Sequence, residues 1–222
     1  ATDTTFQEGQ TYRGGSLDWL GVDDGTRSLP EEFERRTEGK ELTEINMFGQ
    51  GNFTAEELEE LGEMLPNIYN VDSRTVMPNL PISGEIGDQF DLGGDTTAGF
   101  LLSASYDYSH DINDYERKTV INSGDGPAIQ NEYDFFETND EVVTNAILSG
   151  GVDFGEDHSL QLTSLINRVT DDTVRTYEGF YNDFGDTIRI TRLRWQERQL
   201  MFHQLQGEHT IPDANERTVE WQ

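Results

Sequence analysis

A chain of 222 residues with 44 acidic and 15 basic side chains, net charge -29, has room for one sizeable domain or two small ones and is repelled by nucleic-acid phosphate. The same imbalance disfavours docking on anionic lipid through a basic patch and gives a well-solvated surface, with a salt-adapted source as another origin of the acidity. The absence of cysteine excludes thiol catalysis, disulfides and Cys-ligated zinc, and no run approaches the roughly 18 apolar residues of a membrane-crossing helix.

Ala1 to Gln10 carries neither the charged start nor the apolar core of a signal peptide. Thr4-Thr5-Phe6 to Thr11-Tyr12 reads as a strand already under way. A long connection over 13–77 follows, opening with turn formers from Arg13 to Pro30. It holds two helical pieces. One starts at Pro30 and runs through Glu31, Glu32, Phe33 and Arg36. The other has Thr54 as N-cap and Glu57 three residues on, a capping box, then Leu58, Leu61 and Leu65 at helical spacing, with Pro66 past its end. Glu56, Glu57, Glu59, Glu60 and Glu63 form its solvated face.

The hairpin of 78–109 is the clearest element. Leu80, Ile82, Ile86, Phe90 and Leu92 alternate with Asn79, Ser83, Glu85, Gln89 and Asp91. Ala98, Phe100, Leu102, Ala104, Tyr106 and Tyr108 alternate with Gly99, Ser103, Ser105 and Asp107, across a turn at Gly93-Gly94-Asp95. Alternation gives each limb one apolar and one wet face. Limbs of about 11–13 residues exceed the usual strand of about 5–6 and reach the about 9–11 that a transmembrane strand needs.

A polar stretch at 110–138 reads as a loop, and 140–222 holds further strands. Val142, Ala146, Leu148, Val152 and Phe154 share a face, Gly155 to His158 makes a short turn, and Leu160, Leu162 and Ile166 lead back. A loop over 179–186 precedes a strand from Ile188 to Leu205, in which Arg192 and Arg194 lie opposite Leu193 and Trp195. A turn around Gly207 to Asn215 precedes a last fragment at Arg217 to Gln222. Seven strands result. The short turns (93–97, 155–158, 207–215) fall at one end and the longer connections (13–77, 110–138, 179–186) at the other, as in outer-membrane barrels. The mean hydropathy of -0.70 is compatible with this, because barrel strands carry apolar residues only at alternate positions.

Several patches resemble one family. Thr4-Thr5-Phe6 with the run Tyr12-Arg-Gly-Gly-Ser-Leu-Asp-Trp-Leu-Gly-Val-Asp-Asp-Gly-Thr-Arg-Ser-Leu-Pro30 looks like the start of the barrel in a group of TonB-dependent outer-membrane receptors. Pro78-Asn-Leu, Gly84 to Gly94 and Gly99-Phe-Leu-Leu-Ser-Ala-Ser-Tyr106 look like the next hairpin. Ile190-Thr-Arg-Leu-Arg-Trp-Gln-Glu-Arg198 and Leu205-Gln-Gly-Glu-His209 resemble a later strand and turn. The resemblance implies a plugged barrel of 22 strands, of which residues 1–222 cover about the first third, without the plug. It further implies outer-membrane lipid as surroundings, a TonB complex acting through the missing plug, and a scarce solute (siderophore, vitamin, sugar or peptide) as cargo.

The fold class expected is therefore all-β: an antiparallel up-and-down meander of long strands, part of a transmembrane β-barrel, with short helices in a long extracellular loop. Asp18, Trp19 and Arg27 are candidates for ligand contact at the outer mouth, against a simpler role for Trp19 and Leu20 as loop anchors. Arg192 and Arg194, with Arg198, form a cationic ladder that attracts an anionic ligand or pairs with acids on adjacent strands. Asp23-Asp24-Gly25 lacks the spacing of a calcium loop and reads as a turn. His110, His158, His203 and His209 are scattered, and read as surface histidines without a metal motif. Tyr106, Tyr108 and Tyr115 are expected in an aromatic girdle. No catalytic constellation or cofactor motif stands out, so no enzyme activity and no cofactor are expected. Two other readings compete. A soluble carbohydrate-binding β-sandwich requires Phe100, Leu102, Tyr106, Leu148 and Phe154 to pack against a second sheet, and a complete eight-stranded barrel requires edge closure.

Overall fold

The computed structural model describes residues 4–66, 68–124, 126–211 and 217–222. Eight strands and two helices follow in order: β1 (Glu8–Tyr12), α1 (Glu31–Thr37), α2 (Ala55–Met64), β2 (Val71–Thr75), β3 (Leu80–Gly93), β4 (Thr96–Ser123), β5 (Gly126–Phe154), β6 (His158–Tyr181), β7 (Asp186–Ile211) and β8 (Arg217–Trp221). β3 to β8 form one antiparallel sheet in sequence order, an up-and-down meander with β3 and β8 at its two edges. The all-β antiparallel class is as expected.

The hairpin keeps the register that its alternation requires, from Leu80 opposite Tyr108 to Asp91 opposite Thr97, with a bulge before Gly93. Its turn places Gly93, Gly94 and Asp95 at φ of 83°, 62° and 61°, a left-handed run that glycine tolerates at little cost.

Three connections differ from expectation. Residues 110–138 are strand rather than loop: β4 and β5 stay paired as far as Ser123 opposite Gly126. The charged side chains there pair across strands, as Lys118 does with Glu132 at 2.8 Å. The 179–186 loop shrinks to a turn between Tyr181 and Asp186. β7 runs on through Gly207 to Ile211, and the rest of the turn expected at 207–215 lies outside the described residues. The two ends of the sheet therefore differ in how far the hairpins project, not in loop length.

The first strand also behaves differently. β1 starts at Glu8 and pairs with β2 in a separate two-stranded sheet, from Glu8 opposite Thr75 to Tyr12 opposite Val71. β2, short and polar, lies inside the expected 13–77 loop, so the non-sheet connection is 13–70. The helical pieces fall where expected. Thr54 caps α2 with both hydrogen bonds of the capping box, and Leu61 packs with Phe33 and Phe53 in a small core supported by Leu58 and Met64. This core gives the connection its own stability.

The β1–β2 unit lies across the end of the sheet away from the hairpin turn. Gln10 N donates to Thr138 Oγ1 at 2.8 Å, and Thr176 Oγ1 donates to Gln10 Oε1 at 3.1 Å. Val76, fully buried, packs beside Gly9 and Thr138. By register, the covered face carries His110, Thr138, Asp140, Val142, Thr170 and Asp172. Tyr106 and Tyr108 share that face, whereas Tyr115 faces the other way, stacked on Phe135 at 4.9 Å. The three tyrosines therefore do not form one girdle.

Towards the hairpin turn the same face is uncovered. Ile82, Ile86, Phe90, Phe100, Leu102, Leu148, Phe154, Leu162, Met201 and Leu205 are exposed there; Asp88 interrupts the band on the edge strand, and Ser164 with His203 in the row of Leu102 and Leu148. The sandwich reading needed Phe100, Leu102, Tyr106, Leu148 and Phe154 as a core between two sheets. No second sheet covers it among the described residues: Phe100 is 38% exposed and Leu148 45%. The eight-stranded barrel is likewise not formed, since β3 and β8 are not paired with each other.

Candidate functional site

The segment after β1 carries most of the candidate residues. Tyr12 ends β1, and Asp18-Trp19-Leu20 makes one 3-10 turn stopped by Gly21. Gly21 sits at φ 67°, and a Cβ there would come within 2.9 Å of Thr170 Oγ1. Glycine thus serves twice, reversing the chain and letting it touch the sheet, where Thr170 Oγ1 donates to the Gly21 carbonyl at 2.8 Å.

Arg27 is the hub. Its Nη1 and Nη2 donate to both carboxylate oxygens of Asp18 at 2.8 and 2.7 Å, a bidentate fork. Its Nε donates to Tyr12 Oη at 2.8 Å. Nη1 reaches Asp23 and Nη2 reaches Asp172, both at 3.4 Å. The guanidinium lies 3.9 Å from the centre of the Trp195 ring, a cation–π contact onto β7. Glu197, two residues on, accepts from Asp23 N and from Trp195 Nε1, both at 2.9 Å. Tyr106 Oη donates to the Trp19 carbonyl from β4. Three strands of the main sheet thus hold one turn of the insert.

The node is packed shut. The crevice between Asp18, Tyr108, Asp140, Val142, Thr170, Asp172 and Trp195 measures about 10 Å3, no more than a single water occupies. Asp18 and Arg27 therefore act as a joint between insert and sheet, with their polar groups spent on each other. Trp19 stays 54% exposed and is held by its backbone rather than its ring, so the ring is free for contact with a ligand or partner.

Two carboxylates differ beneath the joint. Asp140 is shared by Arg74 and His110, with His110 Nδ1 at 2.7 Å. Asp172 is nearly buried and its Oδ1 has no hydrogen-bond partner among the described residues. Burial pushes its carboxyl up to about 6; the Tyr12 hydrogen bond and the Arg27 charge oppose this, and the charges of Asp140 and Asp18 add to it. Burial and the Asp172 charge also push the Tyr12 phenol up. The folded state thus binds the Asp172 proton more tightly than the unfolded chain does, at about 3.9. Stability from this proton is complete below that value and is lost as pH rises through about 6. We expect amides of the insert to show larger protection factors, relative to the intrinsic exchange rate at each pH, at pH 5 than at pH 8, and Asp172→Asn to flatten the difference. An unchanged pH trend in that variant would show that Asp172 is not the source of the effect.

Arg192 and Arg194 are elsewhere. They project from the opposite face of β7, beside Arg175 and Thr173, and bound a small notch there. Arg198 pairs with Asp171 on the adjacent strand, and Arg175 with Glu137, as expected for cross-strand ion pairs. Among the described residues no carboxylate forms a salt bridge with Arg192 or Arg194. The structure thus joins Asp18 with Arg27 and separates both from Arg192 and Arg194 by the thickness of the sheet. Sequence reasoning missed Tyr12, Asp172, Trp195 and Glu197 as members of the joint. The mixed phase around Trp195, an aromatic amid arginines on a polar strand, was the available signal.

No protein-family model matches this chain, and no curated protein shows significant similarity to it.

Proposed function

We propose that this chain forms part of the barrel wall of a TonB-dependent outer-membrane receptor and contributes to uptake of a scarce solute. One observation carries the proposal: the uncovered apolar band on one face of a sheet of very long antiparallel strands. From the Thr96–Phe154 row to the row of Ile82, Tyr106 and Thr144 the band spans ten residue steps. That is roughly 34 Å along a strand and, at the usual barrel tilt of about 40°, roughly 26 Å in height, against the roughly 25 Å of an outer-membrane barrel. In water such a surface is a strong aggregation hazard, and in lipid it is the expected surface. The two unpaired edges have the same implication, because a barrel wall continues at both.

On this reading the opposite face, with Glu85, Gln89, Ser103 and Asp107, lines the lumen. Arg192 and Arg194 stand further along that face, towards the outer mouth, where an anionic solute would meet them. The joint at Arg27 lies beyond the membrane-spanning part and holds the insert across the outside of the strands. Trp19, like Phe48 and Tyr69, is an exposed aromatic of that insert.

The test is fractionation of cells producing the full-length gene product, followed by detergent phase partition. The receptor reading requires recovery with the outer membrane and in the detergent phase. A folded monomer that stays in buffer without detergent would refute it.

A further inference from the structure

His158 and His209 lie 51 positions apart in the chain, yet face each other directly across β6 and β7. They stand at the hairpin-turn end of the sheet, far from the Arg27 joint. Their Nδ1 atoms are 3.3 Å apart and their ring centres 5.3 Å apart. Two nitrogens bound to one tetrahedral ion at about 2.0–2.1 Å lie about 3.3–3.4 Å from each other. The pair already has the spacing of two neighbouring ligands on such an ion. The sheet sets that spacing: the two residues are the end pair of the β6–β7 ladder, and each is also paired on its outer side, His158 with Phe154 and His209 with Val219.

We infer that His158 and His209 form a surface chelate for a divalent transition-metal ion of the zinc, nickel or copper class. Imidazole nitrogen suits these ions, whereas magnesium and calcium prefer oxygen. No group of three or more His, Cys, Asp or Glu able to hold a metal exists among the described residues, so the remaining coordination positions belong to solvent. This is an open chelate, distinct from a closed structural site. It depends on β6, β7 and β8 alone and not on the receptor reading.

The third member of the group is a reporter. Trp221 Nε1 donates to His209 Nε2 at 3.1 Å, and its indole lies over Gly207 on β7. Because Nε2 accepts, the ring proton of neutral His209 is on Nδ1, pointing at His158. An ion bound at both Nδ1 atoms takes that place. The proton of His209 then resides on Nε2, and Trp221 loses its acceptor. Metal binding therefore disturbs the indole that seats β8, without net change in ring protonation.

The experiment uses the untagged full-length protein, stripped with chelator and titrated with zinc or nickel chloride by calorimetry, with tryptophan emission followed in parallel. His158→Asn and His209→Asn are each expected to weaken binding about a hundred-fold, the loss of one arm of a chelate. His203→Asn, on the same sheet and hydrogen-bonded to Ser164, is expected to leave affinity unchanged. Trp221→Phe should keep affinity and lose part of the emission change. Equal binding by wild type and His158→Asn, or an equal loss in His203→Asn, would overturn the inference. A readout on the unmutated protein guards against misfolded variants: zinc should protect His158 and His209 from diethyl pyrocarbonate while His203 continues to react. Equal modification of all three with and without zinc would count equally against it.

Discussion

Replacing Arg27 by alanine is expected to release the 13–70 insert from the sheet while leaving the sheet intact. Arg27 is 13% exposed, and its partners Asp18 and Asp172 are 22% and 19% exposed. The substitution removes the cation that bridges Asp18, Asp23 and Asp172. Breaking a largely buried pair in this way costs about 3–5 kcal/mol. The meander has its own ladder of backbone bonds, and the insert has its own core at Phe33, Phe53 and Leu61, so the loss falls on the contact between them. At about 1.4 kcal/mol per decade, the undocked population rises a hundred-fold or more. Limited proteolysis and hydrogen exchange would read this at Gly15 and Ser16, whose amides are held by Asp18 and Asp24. Arg27→Lys should recover little, because a lysine replaces neither the fork to Asp18 nor the stacking on Trp195. Wild-type protection in Arg27→Ala would mean that the contacts of Thr170, Tyr106 and Glu197 with the insert hold it without Arg27.

The second large effect is expected at Leu148. It lies near the middle of the apolar band on a central strand, opposite Leu102. If the band meets lipid, Leu148→Arg costs about 2–4 kcal/mol, whereas on a water-exposed sheet such a change stays within about 0.5 kcal/mol. Ile147, the adjacent residue, points to the other face and provides the matched control. Refolding into detergent or lipid vesicles, followed by the heat-dependent gel mobility typical of barrels, would measure both. A much larger loss in Leu148→Arg than in Ile147→Arg supports the facing proposed above; equal losses, or a larger one at Ile147, contradict it.

Much of the sheet was legible because its signal is local. Alternation from Leu80 to Tyr108 marks a strand pair, and the glycines at 93 and 94 mark its turn, so register followed directly. The capping box at Thr54 is a four-residue motif and was equally readable. The strands through 110–138 were not. Both faces there are polar, so alternation carries no contrast, and order comes from partners a strand away: Lys118 with Glu132, and Tyr115, Phe135 and Tyr177 in one stacked row. β2 escaped for a similar reason, since Val-Asp-Ser-Arg-Thr has no apolar face of its own.

The candidate site divides along the same line. Asp18 and Arg27 are nine residues apart and stood out together, but their meeting with Asp172 spans 145 residues. His158 and His209 are neighbours through the ladder alone. A motif search along the chain cannot see a pair that exists only once β6 and β7 are in register.

On the receptor reading, the length of the β4–β5 hairpin bears on encounter at the cell surface. Its paired strands continue from the upper limit of the apolar band at Tyr106 to a tip at Gly124. That is 18 residues, or roughly 60 Å along the strand and roughly 45 Å in height at a barrel tilt. On the receptor reading this blade rises through the zone occupied by surface polysaccharide. A large visitor such as a phage, an antibody or a protease then meets its edge first, long before it reaches the mouth of the pore. On that reading, change at the tip is governed by who approaches the cell, and change near Arg27 by what keeps the insert docked.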